Sequence, residues 1–236
     1  MNPRLIENAT ARMRAVRIVA ACVAALLATG CMRAQIQESR ELATAIGKDE
    51  GIVLLAKPVI EGAGTEEDFT DCIANDLRGG RKGFKVADND EFVDKLFPWF
   101  EPSTAPTRPE ALTQLLQKPG VSESIAETGV RYVVWLDGAT RKTDGGGSIA
   151  CGAGPGGAGC IGFGWWEKEA DYSATIWDLA QSRSAGTVTT NVTGTSALVG
   201  VIIPLPFIAR VQGTACDRMT EQLRSFLVGE EQTASR

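Results

Sequence analysis

The sequence contains no histidine. Without an imidazole the chain cannot form a Ser-His-Asp or Cys-His catalytic arrangement, an H-E-x-x-H metalloprotease site or a His-ligated zinc site. The motifs S-x-x-K and G-x-S-x-G and the P-loop pattern are missing as well. We therefore assign no catalytic residue and expect no cofactor, and an enzymatic function has no motif to support it.

Basic residues are fewer than acidic ones. The chain has 24 Lys and Arg against 29 Asp and Glu, and its net charge at pH 7 is -5. This balance, without a basic cluster, argues against nucleic acid as a partner and against electrostatic binding to anionic lipid. Long hydrophobic runs are scarce too, because the apolar run at 18–27 (IVAACVAALL) is too short to span a bilayer as a helix.

The N-terminal region resembles the lipobox signal of bacterial lipoproteins. Three arginines between residues 12 and 17 precede the apolar run, which ends in LATGC, with small residues at 28–30 directly before Cys31. Leu27 lies one position further from the cysteine than is usual in that family. The resemblance implies a signal peptide over residues 1–30, cleavage before Cys31 and acylation of its thiol. An ordinary secretory signal with a chance cysteine is the alternative.

A lipoprotein of this kind is attached to the membrane through Cys31. Met32 and Arg33 follow the cysteine, and no aspartate stands at the position that signals inner-membrane retention in that family. The resemblance therefore implies an outer-membrane lipid anchor with the protein on the periplasmic side. Residues 31–49 are polar with scattered apolar positions, and we predict a helical tether there.

Six cysteines are present. Cys22 leaves with the signal and Cys31 carries the lipid, so four remain in the mature chain: Cys72, Cys151, Cys160 and Cys216. An even number in an exported protein indicates two disulfides, for which three pairings are possible. The local choice joins the cysteines at 151 and 160 and leaves those at 72 and 216 to each other. A Cys₄ zinc site is the alternative, but the C-x₂₋₄-C spacing of such sites is missing, so we expect no metal.

The stretch CGAGPGGAGCIGFGWW (151–166) is rich in glycine and satisfies G-x-G-x-x-G twice. In a dinucleotide site this motif lies between a strand and a helix. Here the residues that follow, FGWWEKEADYSATIWDL, are typical of a strand. Phosphate binding is therefore not favoured, and we interpret the stretch as the disulfide-closed end of a hairpin.

Hydrophobic periodicity predicts an α+β fold. We predict strands at 51–60, 83–86, 130–138, 163–179 and 186–195, helices from Thr65 to Gly79 and from about Pro206 to Val228, and a helical insertion between 88 and 128. The order is β-α-β, helical insertion, β-β-β-α, which predicts a mixed sheet with two long helices packed on one face. We expect a single domain over residues 50–228 and a polar tail over 229–236.

This order of elements behind a lipobox resembles the CsgG- and TolB-N-like α/β lipoproteins of the bacterial envelope. That group includes secretion-pore components and activators of cell-wall synthases. The resemblance covers residues 50–228 and rests on the order of elements. It implies contacts with envelope proteins, and it carries over no functional residue beyond the Cys31 of the lipobox.

Carboxylates form two clusters along the chain. Four lie between residues 66 and 71 and four between residues 88 and 94: Glu66, Glu67, Asp68 and Asp71, then Asp88, Asp90, Glu91 and Asp94. Acids in the first turn of a helix complement the helix dipole, which favours a structural role. A carboxylate-based hydrolase would instead need two such groups facing each other across a cleft.

Two apolar stretches are candidate contact surfaces. One is FPWF (97–100), together with the tryptophan pair of the glycine-rich region, and the other is ALVGVIIPLPFIA (197–209). The residues that we single out are Trp99, Trp165, Trp166, Pro204 and Pro206. Such residues are normally buried, but an exposed apolar patch would indicate a binding surface.

We therefore predict a non-enzymatic lipoprotein of the cell envelope that faces the periplasm and acts through protein contacts in an assembly or regulatory role. The alternative is a hydrolase or glycan-binding domain at the cell wall that uses carboxylates and tryptophans.

Overall fold

The computed structural model describes residues 32–56, 64–80, 83–100, 104, 106, 109–154, 157–200 and 204–229. These residues form an α+β fold with a seven-stranded mixed sheet, which confirms the predicted class. The strands are β1 (Met32–Arg40), β2 (Gly51–Ala56), β3 (Lys85–Val86), β4 (Val130–Gly154), β5 (Gly157–Asp178), β6 (Arg183–Gly200) and β7 (Pro204–Phe207). The helices are α1 (Glu67–Arg78), α2 (Asn89–Lys95), α3 (Pro109–Leu116), α4 (Val121–Thr128) and α5 (Val211–Val228).

The sheet has the strand order β1-β6-β5-β4-β2-β3, and β7 pairs with β6. Strand β2 is parallel to both of its neighbours, β3 and β4, whereas β7 is antiparallel to β6. All residues from Gly51 to Leu55 are buried. A parallel strand with helices on both faces reads as a continuous apolar run, which explains why the sequence GIVLLA shows no alternation.

Helix α1 packs on one face of the sheet and contacts α5. Phe69 of α1 stacks on Tyr172 of β5, with ring centroids 3.5 Å apart, and the Cys72–Cys216 disulfide joins the two helices. This is the pairing that the cysteine arithmetic favoured. Cys151 is disulfide-bonded too, while the side chain of Cys160 lies outside the described residues, so their mutual pairing stays a prediction.

The predicted helical insertion covers the opposite face of the sheet. Phe92 of α2, Leu112 of α3 and Ile125 of α4 belong to one buried apolar cluster with Val53 of β2 and Trp177 of β5. Successive side chains of a strand point to opposite faces, so Ile52 and Leu54 lie on the α1 side. The central part of the sheet is therefore buried on both faces.

The predicted helical tether at 31–49 is wrong in its secondary structure, because residues 32–40 form the edge strand β1 beside β6. The backbone amides of Glu41 and Leu42 then both donate to the carbonyl of Ala185. At Gly186 a Cβ would lie 2.1 Å from the carbonyl oxygen of Ser39, so the chains approach closely there. Backbone pairing with β6 decides the conformation of this polar segment. The spacing of apolar residues within the segment could not predict that pairing.

The described residues of the glycine-rich region, 151–154 and 157–166, continue strands β4 and β5. At Gly145 a Cβ would lie 2.9 Å from the carbonyl oxygen of Trp165, and at Gly147 it would lie 2.6 Å from that of Phe163. Rising residue numbers in β4 thus meet falling numbers in β5, as in an antiparallel pair. Glycine permits this close approach of the two backbones. The strands of the hairpin are therefore longer than the segments 130–138 and 163–179 that the sequence predicted.

The last helix begins at Val211 and not near Pro206. Residues 204–207 form strand β7, whose Cα partners run from Ala197 to Gly200 of β6. Proline lacks an amide hydrogen and is confined to edge strands, and β7 pairs with a single strand. The two prolines therefore fit an edge strand better than the first turns of a helix.

The chain divides into two compact units, and β4, β5 and β6 contribute to both. Of the described residues, one unit contains Met32, 142–168 and 194–209, and we call it the strand-end unit. The other contains 33–141, 169–193 and 210–229, and we call it the helical unit. The single domain predicted over residues 50–228 is thus described below as two units.

The end of β5 is fixed by the buried carboxylate of Asp178. It accepts hydrogen bonds from Nε and Nη2 of Arg131 on β4, at 3.3 and 3.1 Å, and from the backbone amides of Ala180 and Gln181. A second carboxylate, that of Glu50, lies 2.7 Å from Nη1 of the same arginine. Hydrogen bonding to Asp178 raises the pKa of Arg131 above its ordinary value.

We expect the Asp178→Ala substitution to lower the free energy of unfolding by about 3–5 kcal/mol, because it leaves a half-buried guanidinium and two turn amides without their acceptor. Glu50→Gln is the matched control: it removes a partner of the same arginine whose side chain is 34% exposed, and we expect a loss below about 1 kcal/mol. Urea unfolding measures both. Equal losses of unfolding free energy in the two variants would contradict the view that the buried carboxylate contributes more to stability than the exposed one.

We expect removal of the Cys72–Cys216 disulfide to cost up to about 5 kcal/mol, since it closes a loop with a sequence separation of 144. Cys72→Ala alone and the Cys72→Ala/Cys216→Ala variant should lose nearly the same stability in urea, because either change removes the same bond. Losses that add would contradict a shared bond between these two residues.

Candidate functional site

The helical unit contains a crevice at the carboxyl ends of β2 and β3. Strand β2 lies between β3 and β4 in the sheet. Helix α1 connects β2 to β3 on one side of it, and helices α2, α3 and α4 connect β3 to β4 on its other side. Helices on opposite faces diverge at such a reversal of strand order and leave a recess at the carboxyl edge. Ligand sites in open α/β sheets lie preferentially at this position.

The crevice has a volume of about 510 Å³ and is lined by the ends of both strands and the starts of the helices that follow them. Ala56 ends β2, and Val86 ends β3. The polar lining residues are Thr65, Glu67, Thr70, Asp71, Arg78, Asp88, Asn89 and Asp90. Four acidic residues and one arginine thus line the recess together.

The structure brings the two acidic clusters of the sequence together in this crevice. Glu67 and Asp71 come from the first cluster, and Asp88 and Asp90 come from the second. All four residues are exposed, so they can meet a ligand from solution. Carboxylates in this arrangement accept hydrogen bonds from hydroxyl groups and attract ammonium or guanidinium groups.

Two other members of the clusters, Glu66 and Glu91, have structural contacts. Glu66 accepts a hydrogen bond of 2.8 Å from the hydroxyl of Tyr172 and one of 2.7 Å from the amide of Thr140. Burial raises the pKa of Tyr172, which remains a donor to this carboxylate. Glu91 forms an ion pair of 2.7 Å with Lys95 on the same helix. These contacts agree with the structural role that the sequence favoured for acids at helix starts.

Asp88 both caps a helix and lines the crevice. Its carboxylate accepts a hydrogen bond of 3.1 Å from the amide of Glu91 and so caps α2. The same residue lines the crevice. A capping carboxylate is held in one orientation by the helix, which makes it a fixed acceptor at the edge of the recess.

Within the described residues, Cys72, Asp76 and Cys216 have the mutual spacing of metal ligands, within 4.8 Å. The two sulfur atoms are bonded to each other, so neither is available as a thiolate. The group is a disulfide beside a carboxylate and does not offer the ligands of a zinc site.

The predicted contact residues fall in different units. Trp99 is half-buried and packs against the apolar cluster under α2, α3 and α4 in the helical unit. Trp165 and Trp166 are half-buried on β5 in the strand-end unit. Pro204 and Pro206 lie on β7 of the same unit, and their side chains lie outside the described set. The sequence related Trp99 to the other two tryptophans by chemical character and not by position, and Trp99 lies in a different unit from them.

The sequence did not predict the exposed apolar side chains on β4 and β5 of the strand-end unit. Ile149 is 74% exposed, Ile161 is 59% exposed and Phe163 is 50% exposed. The available signal was the absence of charge, because residues 145–166 contain no Asp, Glu, Lys or Arg. The glycines in this stretch hid that signal by suggesting a loop.

No helix in the described part of the chain has the length and apolar character that a membrane span requires. Cys31 lies just before the first described residue, so its acylation stays a prediction from the sequence.

No protein-family profile matches this chain, and no curated protein sequence does so. Solved structures that it resembles include two PelC dodecamers from Paraburkholderia phytofirmans. One, a Leu→Met variant, is 14% identical with a TM-score of 0.39, over 86% of this chain and 100% of that one. The other is 15% identical with a TM-score of 0.41, over 84% of this chain and 99% of that one. The similarity is distant, and the resemblance to CsgG- and TolB-N-like lipoproteins stays a prediction.

Proposed function

We propose that the protein is a lipoprotein of the bacterial envelope, anchored through an acylated Cys31 in the outer membrane and facing the periplasm. The observation that carries the proposal is the sequence before Cys31: three arginines, the apolar run at 18–27 and small residues at 28–30 precede it in the order of a lipobox signal. The disulfide between α1 and α5 fits an oxidising compartment.

The anchored protein acts through contacts with another envelope protein and not through catalysis. We assign this contact to the crevice, where four exposed carboxylates and one arginine line a recess of about 510 Å³. Its chemistry suits a partner segment that carries Lys or Arg side chains, because fixed carboxylates attract and orient such groups. An assembly or regulatory role follows from this mode of action.

The second candidate is a glycan-binding or hydrolytic role at the cell wall. One observation favours it: carboxylates from two separate helix starts meet in one crevice, as the acid/base chemistry of glycoside hydrolysis requires. The half-buried indoles of Trp165 and Trp166 lie in the other unit and would bind glycan independently of that crevice.

We expect the natural protein, extracted from membranes, to have the intact mass of a chain cleaved before Cys31 and carrying acyl chains. Cys31→Ser should abolish this modification and release the protein from the membrane fraction, because several acyl chains supply the anchoring. The matched control is Cys22→Ser, which changes a cysteine of the signal peptide and should leave the mature mass unaltered. A chain that is neither cleaved nor acylated would contradict the lipoprotein assignment.

We expect carbodiimide treatment of intact envelopes, which joins carboxylates to amines in direct contact, to yield a cross-linked species that depends on the crevice. Glu67→Gln/Asp71→Asn should reduce its yield about fivefold or more, because it removes two of the four carboxylates. The control is Glu91→Gln/Asp94→Asn, which changes two acidic residues of α2 that do not line the recess. Equal yields from both variants would contradict a contact at the crevice.

Calorimetry with peptidoglycan fragments separates the second candidate from the first. Saturable binding that is lost in Glu67→Gln/Asp71→Asn would support glycan recognition by the crevice, and loss in Trp165→Ala/Trp166→Ala would locate it on the tryptophans. Absence of binding would remove the glycan hypothesis.

A further inference from the structure

The strand-end unit carries most of the large apolar side chains that the described chain exposes. Besides Met32 they are Ile149, Ile161, Phe163, Leu198, Val199 and Ile208, and the two that lie in the helical unit are Ile36 and Phe97. Every residue of β4 from Arg141 to Ala153 is exposed. Apolar patches of this kind on a protein surface mark a binding surface.

Charged residues are confined to the margin of this unit. Residues 145–166 and 194–209 contain none, whereas Lys142, Asp144, Glu167 and Lys168 border the first stretch. A Cβ at Gly145 would lie 2.9 Å from the carbonyl oxygen of Trp165, so β4 and β5 change from charged to uncharged at the same level. A change from charged to uncharged residues at the same level of two paired strands suits a protein surface that lies partly in water and partly in an apolar phase.

The tryptophan pair lies at this boundary. Trp165 and Trp166 directly precede Glu167 and are half-buried, and the indole Nε1 of Trp165 lies 3.4 Å from the Cβ position of Gly146. Tryptophan is enriched at the level of lipid headgroups, where its ring contacts acyl chains and its N–H stays in a polar region. The order along β5 is thus exposed apolar side chains, then indoles, then charges.

The position of the lipid anchor indicates that the apolar phase is a lipid bilayer. Met32 belongs to the strand-end unit and is itself 46% exposed. Cys31 is its neighbour in the chain, and consecutive Cα atoms are about 3.8 Å apart, so no tether separates an acylated Cys31 from this unit. A bilayer that holds the acyl chains must therefore lie within a few residues' reach of it.

We propose that the strand-end unit is a second membrane contact, in which the ends of β4 and β5 insert shallowly into the bilayer that holds the acyl chains of Cys31. This proposal rests on the proposed lipoprotein function. Insertion is driven by apolar area and not by charge, since the inserting stretch carries none. The strands pair with each other, so most of their backbone groups enter the interface already hydrogen-bonded.

The first test uses the mature chain with Cys31→Ser, which lacks the anchor, and vesicles of zwitterionic phosphatidylcholine. We expect it to float with the vesicles, and Ile149→Ser/Ile161→Ser/Phe163→Ser to lower the partition constant about tenfold or more. Ile36→Ser/Phe97→Ser, which changes exposed apolar residues of the helical unit, should leave it within about twofold. Because all five side chains are exposed, the variants should keep the urea midpoint. An unchanged partition constant for the triple variant would overturn the proposal.

The second test uses the acylated protein in vesicles whose lipids carry bromine on the acyl chains near the headgroups, which quenches nearby indoles. We expect quenching that disappears in Trp165→Phe/Trp166→Phe, because Trp177 is buried in an apolar cluster of the protein and Trp99 and Trp135 pack against that cluster. An acylated protein that stays with the vesicles without quenching would overturn the membrane contact and leave the lipoprotein function intact. Conversely, an unacylated natural protein that still floats would keep the contact and contradict the anchor.

A second copy of the chain is the competing occupant of this surface. Light scattering of the Cys31→Ser protein without vesicles distinguishes it: a dimer that dissociates in the Ile149→Ser/Ile161→Ser/Phe163→Ser variant would show that the patch is covered by another protomer and would overturn the proposal. A monomer at the concentrations used for flotation supports it.

Discussion

The difference in length between neighbouring strands constrains the rest of the structure. Strand β2 has 6 residues, and the last described pair between it and β4 joins Ala56 to Leu136. Strand β4 has 25 residues and continues to Gly154, 18 residues beyond Leu136. The helices that follow β2 and β3 bury the short parallel region on both faces, but β4 is exposed from residue 141 to residue 153. The part of β4 that no helix covers therefore needs either polar side chains that suit water or contact with a partner or a membrane. The sequence has no charged residue from 145 to 166.

Local sequence signals predicted the parts of the fold that local energetics decide. The apolar run of β2, the amphipathic helix α1 and the alternation after Val130 all identified elements correctly, because each buries its own periodic face. The errors concern segments whose structure depends on a distant strand. Residues 32–40 are a strand because β6 lies beside them, and Gly147 is in a strand because Phe163 approaches it closely. In both places tertiary pairing overrides the local preference of polar residues and glycine.

The same distinction explains which part of the crevice was predictable. Acids at helix starts are a local pattern, and Asp88 caps α2 as that pattern suggests. The meeting of Glu67 with Asp90 depends on the order β4-β2-β3, which no local signal specifies. The adjacent residues Glu66 and Glu67 also differ in role, because successive residues of a helix start point in different directions. One carboxylate faces the Tyr172 hydroxyl and the other faces the recess.

The two units differ in the charge that they carry. The carboxylates of the crevice belong to the helical unit, whereas the stretches 145–166 and 194–209 of the strand-end unit are uncharged. If Cys31 is acylated, Met32 of the strand-end unit is the next residue along the chain, so no linker separates that unit from the acyl chains. Transfer of Ile149, Ile161 and Phe163 into a bilayer would take no charge out of water, because the stretch around them has none. The crevice has the opposite chemistry. Its exposed carboxylates would lose their hydration in lipid but attract a basic partner in water, so each unit suits a different kind of contact.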